Sequence, residues 1–219
     1  MASKKTNAGQ KPVGNIASIN ASLMLVLLDG ALVPAWEPLD PDPEGDDIGG
    51  HPQKVVDFLD DDDDFVSGPL KVGKGKALVL SLEAQTGEAE VYRLANGTVA
   101  LVEPPRSWWD DADNYGKKRV DVAALFDEAL AGPGKGAKKA GKVDVPSGKL
   151  VTFDSNVDVA PASKVLKKAL KEGDVKAFGE DEGGVVIALA PGTYAVRRQV
   201  FERKWAEDQP LVVAYLEPT

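Results

Sequence analysis

Five consecutive aspartates, Asp60 to Asp64, stand between Leu59 and Phe65. Carboxylates in such number could hold a cation, flank a scissile bond or meet a basic surface. Calcium loops space their oxygen ligands at alternate positions, with a glycine for the turn and a bidentate glutamate at the end. A contiguous run cannot aim five side chains at one ion on ordinary backbone, so no metal site is expected. Serine-type nucleophilic catalysis needs a histidine to carry the proton, and the chain has only His51. Its setting, GGHPQK, reads as the opening of a helix over Gln53 to Leu59, with no nucleophile elbow beside it. Glycosidase chemistry needs two carboxylates held in different environments. Acids are abundant here, but no pair is singled out by the sequence. GKGK, Gly73 to Lys76, lacks the spacing of a phosphate-cradling loop and reads as a tight turn between strands. No catalytic residue, metal or cofactor is therefore expected.

Charge indicates what the acids would meet. The 219 residues carry a formal net charge of -9, all of it in the first half: residues 1–105 hold 8 basic and 17 acidic side chains, residues 106–219 hold 18 of each. Between Asp29 and Asp64 there are 13 acids and a single base, Lys54. Such a field attracts cationic surfaces and repels phosphates, so nucleic-acid binding is not expected. Asp60 to Asp64 also follow a helical pattern, KVVDFL, where negative charge opposes the helix dipole. Either a solubilising run or a docking patch for a basic partner would account for that. Trp36 precedes the acid-rich segment Glu37 to Gly50, and Trp108-Trp109 precede the acids of DDADNY. Tryptophan is favoured at interface hot spots, and two adjacent tryptophans point in opposite directions, leaving one ring outward.

The elements that must position these residues follow from periodicity. Ala77 to Leu82 and Val185 to Leu189 are continuous apolar runs, as in strands covered on both faces. Pro161 to Lys171 and Val120 to Leu130 carry apolar residues at helical spacing. Ala190-Pro191-Gly192-Thr193 suits a type II turn joining a hairpin. Ala131 to Lys142, rich in Gly, Lys and Ala, reads as a flexible connector. On either side of it the same elements recur in the same order, and both halves close on a Val/Ala/Leu strand followed by Glu-Pro, at Glu103-Pro104 and Glu217-Pro218. The expectation is an α+β protein of two related lobes, each a mainly antiparallel sheet with one or two short helices. Residues 1–15 form a disordered tail, 16–105 the acidic lobe, 106–142 a helix and linker, and 143–219 the second lobe. The alternative is one continuous sheet. The absence of cysteine excludes disulfides and thiol chemistry. The longest apolar run, Leu23 to Leu28, is too short to cross a bilayer, and the basic first residues lack the apolar stretch of a signal peptide. A cytoplasmic protein without membrane contact is expected.

Four stretches carry a resemblance to a known family. SLMLVLLDGALVPAW resembles the opening of the bacterial immunity protein 21 family, where an apolar strand leads to a tryptophan. DDDDDFVSGPLKVGKGKALVLSLEAQTGEAEVY is similar to its acidic segment and the strands after it. LVTFDSNVD resembles its later strand ending in Asp-Ser, here Asp154-Ser155, and LAPGTYAVRRQVFERKWAEDQPLVVAYLEP resembles its closing strands. The resemblance implies an immunity protein that binds a cognate toxin and covers its active or substrate-binding surface. A small acidic inhibitor of a basic toxin also fits the charge. The residues expected to meet the partner are Trp36, Asp40, Asp42, Asp46, Asp47, Asp60, Asp61, Asp62, Asp63, Asp64, Trp108 and Trp109. Two rivals remain at the level of sequence: a scaffold protein that forms homo-oligomers, and a carboxylate-dependent hydrolase.

Overall fold

The computed structural model describes residues 17–20, 24–38, 49–61, 67–82, 87–104, 116–155, 164–171, 176–178, 184–202 and 210–219. The strands are β1 (Ala17–Asn20), β2 (Leu25–Asp29), β3 (Ser67–Val72), β4 (Gly75–Leu80), β5 (Glu88–Arg93) and β6 (Val99–Glu103), then β7 (Lys138–Val145), β8 (Lys149–Asp154), β9 (Lys176–Phe178), β10 (Gly184–Ala188), β11 (Gly192–Phe201) and β12 (Leu211–Pro218). Three helices, α1 (Gly50–Asp61), α2 (Gly116–Leu130) and α3 (Lys164–Lys171), and a 3-10 turn over Gly30–Ala35 complete the described elements. The α+β class with antiparallel sheets and short helices is as the sequence predicts.

The strands form two six-stranded antiparallel sheets, ordered β1-β5-β6-β12-β11-β7 and β3-β4-β2-β8-β10-β9. Replacing each strand of the first half by the one six places later returns each order reversed, so the chain is an internal duplication about a pseudo-two-fold axis. The axis passes the β2·β8 seam at the pair Leu27↔Thr152. On either side of it the sequence repeats as Ser-x-x-Leu-Val-x-x-Asp, Ser22 to Asp29 and Ser147 to Asp154. Each half thus contributes three adjacent strands to both sheets. The expected lobes are therefore sheet layers shared by the two halves, and the boundaries at 105 and 143 mark repeat units in sequence rather than separate bodies.

Inward faces of both sheets meet in one core that includes Leu25, Leu27, Leu80, Leu101, Leu150, Ile187 and Ala214. The outer face of the second sheet is covered by α1, α3 and the 3-10 turn through Val33, Trp36, Val55, Leu166 and Ala169. The outer face of the first is covered by α2 through Leu125, Phe126 and Ala129. With helices outside both sheets, β2 and β6 are buried at every position, which is why such strands read as unbroken apolar runs. Two arginines repeat the symmetry: Arg93 donates to the Ala188 carbonyl and Arg198 to the Leu82 carbonyl, each at 2.9 Å. Each half thus ties its strand in the first sheet to the other half's strand end in the second.

Several local expectations change. β10 and β11 lie in different sheets, so residues 190–193 carry the chain across the sandwich instead of closing a hairpin. Gly192 opens β11 and is not among the positive-φ glycines, which removes the type II turn. The connector ends at Ala137, because Lys138–Val145 pairs with β11 as an edge strand. Its lysines are exposed while Val143 and Val145 are buried, the composition that discourages further strand addition at an edge. The two Glu-Pro endings are not equivalent: Glu103 shares the face of Leu101 and is wholly buried, whereas Glu217 lies on the opposite face in a bidentate pair with Arg197. The tight turn expected within GKGK is present, and the structure places it at the two residues Gly73-Lys74, with Gly73 at φ 54.

Candidate functional site

The site begins at the end of β2. The Asp29 carboxylate accepts the Ala31 N–H at 2.8 Å, capping the 3-10 turn, and also accepts the Ser147 N–H at 3.0 Å and hydroxyl at 2.7 Å. This buried carboxylate fixes the direction in which the chain leaves the sheet. The turn carries Pro34 and delivers Trp36 onto the outer face of the second sheet. There the indole meets Phe153 edge-on and stacks on His51, with ring centroids 4.9 Å apart in both contacts.

His51, in the first turn of α1, is 3% exposed. Its Nδ1 accepts the Glu37 N–H at 2.9 Å, and its Nε2 lies 3.2 Å from the Lys71 carbonyl. A ring nitrogen that accepts an N–H carries no proton, and one facing a carbonyl must carry it, so the geometry assigns the neutral Nε2–H tautomer. Burial, and next the Lys54 charge, lower the pKa of His51 below 6.5, against the raising influence of Glu37. The His51 N–H in turn donates to the Glu37 carbonyl at 3.1 Å. Glu37 and His51 are thereby joined by two reciprocal hydrogen bonds across 14 residues of sequence. The Glu37 carboxylate, 64% exposed, pairs with Lys54 at 2.9 Å, and that partner lowers its pKa. Gly50, at φ +63, completes the closure: a Cβ there would stand 2.1 Å from the Pro38 carbonyl oxygen. The result is a stem that fixes both ends of the segment 38–50.

Beside the stem lies a surface cleft of about 520 Å3, lined by Trp36, Glu37, His51, Lys54, Lys71 and Gly73 among others. Both His51 ring nitrogens are occupied by backbone groups, so it is not placed to move a substrate proton. Among the described residues, no three His, Cys, Asp or Glu side chains gather as metal ligands, and no helix is long and apolar enough to cross a membrane. Comparisons with known protein families, with curated proteins and with solved structures find no match to this chain.

The partner-contact residues read from sequence divide in three. Trp36, expected as an aromatic anchor for the partner, is 2% exposed; its ring area is already taken by His51 and Phe153, so its role is to hold the stem. Asp60 and Asp61 form the end of α1, so the helix runs two residues further than the pattern KVVDFL suggests. Asp40, Asp42, Asp46, Asp47, Asp62, Asp63, Asp64, Trp108 and Trp109 lie outside the described residues. Sequence reasoning correctly made His51 part of the α1 opening but missed its bond to Glu37. The one available signal was a lone histidine, flanked by Gly-Gly and Pro, at the exit of an acidic segment.

Proposed function

We propose that this chain is a non-enzymatic binding protein of the immunity type, acting in the cytoplasm, which neutralises a basic toxin by covering its active or substrate-binding surface. The observation that carries the reading is the stem. The acid-rich segment 38–50 has its two ends fixed by the Glu37–His51 bonds, the Lys54–Glu37 pair and the Gly50–Pro38 contact. Fixing a charged segment at its base lowers the ordering cost of docking it. The proposed contact surface comprises Asp40, Asp42, Asp46, Asp47 and Asp60 to Asp64, with Trp108 or Trp109 as the aromatic anchor in place of Trp36. Long-range charge would accelerate encounter, and the anchor would slow release.

The test is affinity capture from a lysate of the native bacterium, with wild type and a variant in which all five aspartates from Asp60 to Asp64 are replaced by serine as bait. Retention of one basic protein by the wild type, lost with the variant, is the expected outcome. Equal capture by both baits, or by neither, would contradict the proposal.

A further inference from the structure

We infer that the Glu37–His51 junction is a proton-operated latch: a proton on Nδ1 removes the acceptor of the Glu37 N–H and draws the Glu37 carboxylate from Lys54 to His51. In the neutral ring Nδ1 accepts the Glu37 N–H at 2.9 Å while the carboxylate of the same residue holds Lys54 at 2.9 Å. The carboxylate oxygen that holds Lys54 already lies 3.5 Å from Nδ1. Protonated imidazole is a donor at both nitrogens. The backbone bond at Nδ1 must then break, and Glu37 Oε2 is the nearest group able to replace it. Nε2–H and its bond to Lys71 are the same in both states, so the ring has a fixed pivot and one exchangeable contact.

The charged and polar groups facing this ring come from three elements. Glu37, after the 3-10 turn, and the Lys71 carbonyl on β3 favour the proton; Lys54 on α1 opposes it. Trp36 and Phe153 supply the apolar wall. Because burial and Lys54 hold the ring neutral at pH 7, the latch is shut there and opens only on acidification. Gly50 and Pro38 are in contact next to the exchanged bond, so opening loosens the base of the acidic segment. Any effect on partner binding rests on the function proposed above, whereas opening of the latch itself can be read without a partner.

The stacked indole supplies that readout, since a charged imidazolium over its face quenches tryptophan emission. In a chain with Trp108, Trp109 and Trp205 replaced by Phe, Trp36 emission is measured from pH 8 to 5, alongside amide protection at Glu37. Emission is expected to fall in one step centred below pH 6.5, while Glu37 protection drops about tenfold, the loss of roughly one hydrogen bond. His51→Gln, which keeps an acceptor and a donor without titrating, is expected to abolish both changes. Should the triple replacement fail to fold, the wild-type Glu37 amide and the His51 ring nitrogen resonances decide alone. Constant Glu37 protection while the ring titrates, or the same step in His51→Gln, would overturn the inference. If the latch opens as described but captured partner binds equally at pH 7.5 and 5.5, the proposed contact surface is at fault and the latch stands.

Discussion

Substituting Gly50 isolates the closure of the stem. At φ +63 an alanine pays a left-handed backbone cost of about 1–2 kcal/mol. A Cβ there would also stand 2.1 Å from the Pro38 carbonyl oxygen and 2.8 Å from that of Glu37, closer than any real contact. Both atoms are backbone, so they cannot swing aside as a side chain would. The chain must retreat at Glu37–Pro38, which breaks the His51 N–H bond to the Glu37 carbonyl and strains the return bond to Nδ1. Each is a net loss of about 1 kcal/mol. Gly50→Ala is therefore expected to destabilise by roughly 3–4 kcal/mol, which for a chain of this size lowers the melting temperature by roughly 10 °C. Gly97→Ala is the control: its φ is +82 and nothing lies within 4 Å of the added carbon, so only the same backbone cost of about 1–2 kcal/mol remains. Both variants are compared with wild type by calorimetry and urea unfolding. Equal losses would refute the packing described for the stem.

Three further outcomes are expected. Since the folded-state pKa of His51 lies below its unfolded value of 6.5, its contribution to stability is complete above pH 6.5 and declines as pH falls through the folded pKa. Unfolding free energies from urea titration of wild type should therefore fall from pH 7.5 to 5 more steeply than those of His51→Gln, by at most about 1.4 kcal/mol per pH unit; parallel profiles would contradict this. Burial raises the pKa of Tyr92, with its bond to Glu90 second, and of Tyr215, with Glu128 second, both above the usual 10. Stability from these hydroxyls is complete below pH 10 and is lost as pH rises through the folded values. Tyrosinate absorbance should accordingly show both groups protonated at pH 11 while the fold persists, and full ionisation in the folded chain would count against it. Because the halves meet at the seams β2·β8 and β6·β12, fragments 16–104 and 116–219 should co-purify when expressed together. A cooperative, monomeric unfolding transition from either fragment alone would dispose of the interleaved arrangement.

Apolar pattern made much of the fold legible. The runs at β4 and β10 announced strands covered on both sides, and Val165, Leu166, Ala169 and Leu170 announced α3 by their spacing, although Val165 is exposed rather than part of the packed face. The order of elements in the two halves announced the duplication. What pattern could not show is which strands share a sheet. A strand such as β11 buries Tyr194 and Val196 in the same way whether its neighbour in sequence lies beside it or across the core. β7 was hidden because lysines on an edge strand look like a solvated linker until β11 is seen to pair with them. The Glu-Pro repeat misled in a similar way. Two like residues can end equivalent strands and still face opposite sides, because side chains alternate with a period of two.

The site was legible only in part. Charge alone located the acidic segment, and a helical pattern after His51-Pro52 located α1. The stem was not legible because its bonds run from a side chain to backbone groups at Glu37 and Lys71, and such partners leave no trace in residue type. Trp36 illustrates the same limit. Its position before the acids suggested a contact for a partner, while Phe153, far along the chain on β8, in fact shares its ring face with the core.

The most direct measurement of the central claim is the association rate of the captured basic protein with wild type and with the variant that replaces Asp60 to Asp64 by serine, across salt from low to above physiological. If the acidic surface guides docking, the wild-type rate at low salt should exceed that of the variant by about tenfold or more and fall steeply as salt rises. The variant should be nearly insensitive to salt, with dissociation changed far less. Equal association rates with the same salt dependence would contradict the assignment of this surface to partner binding.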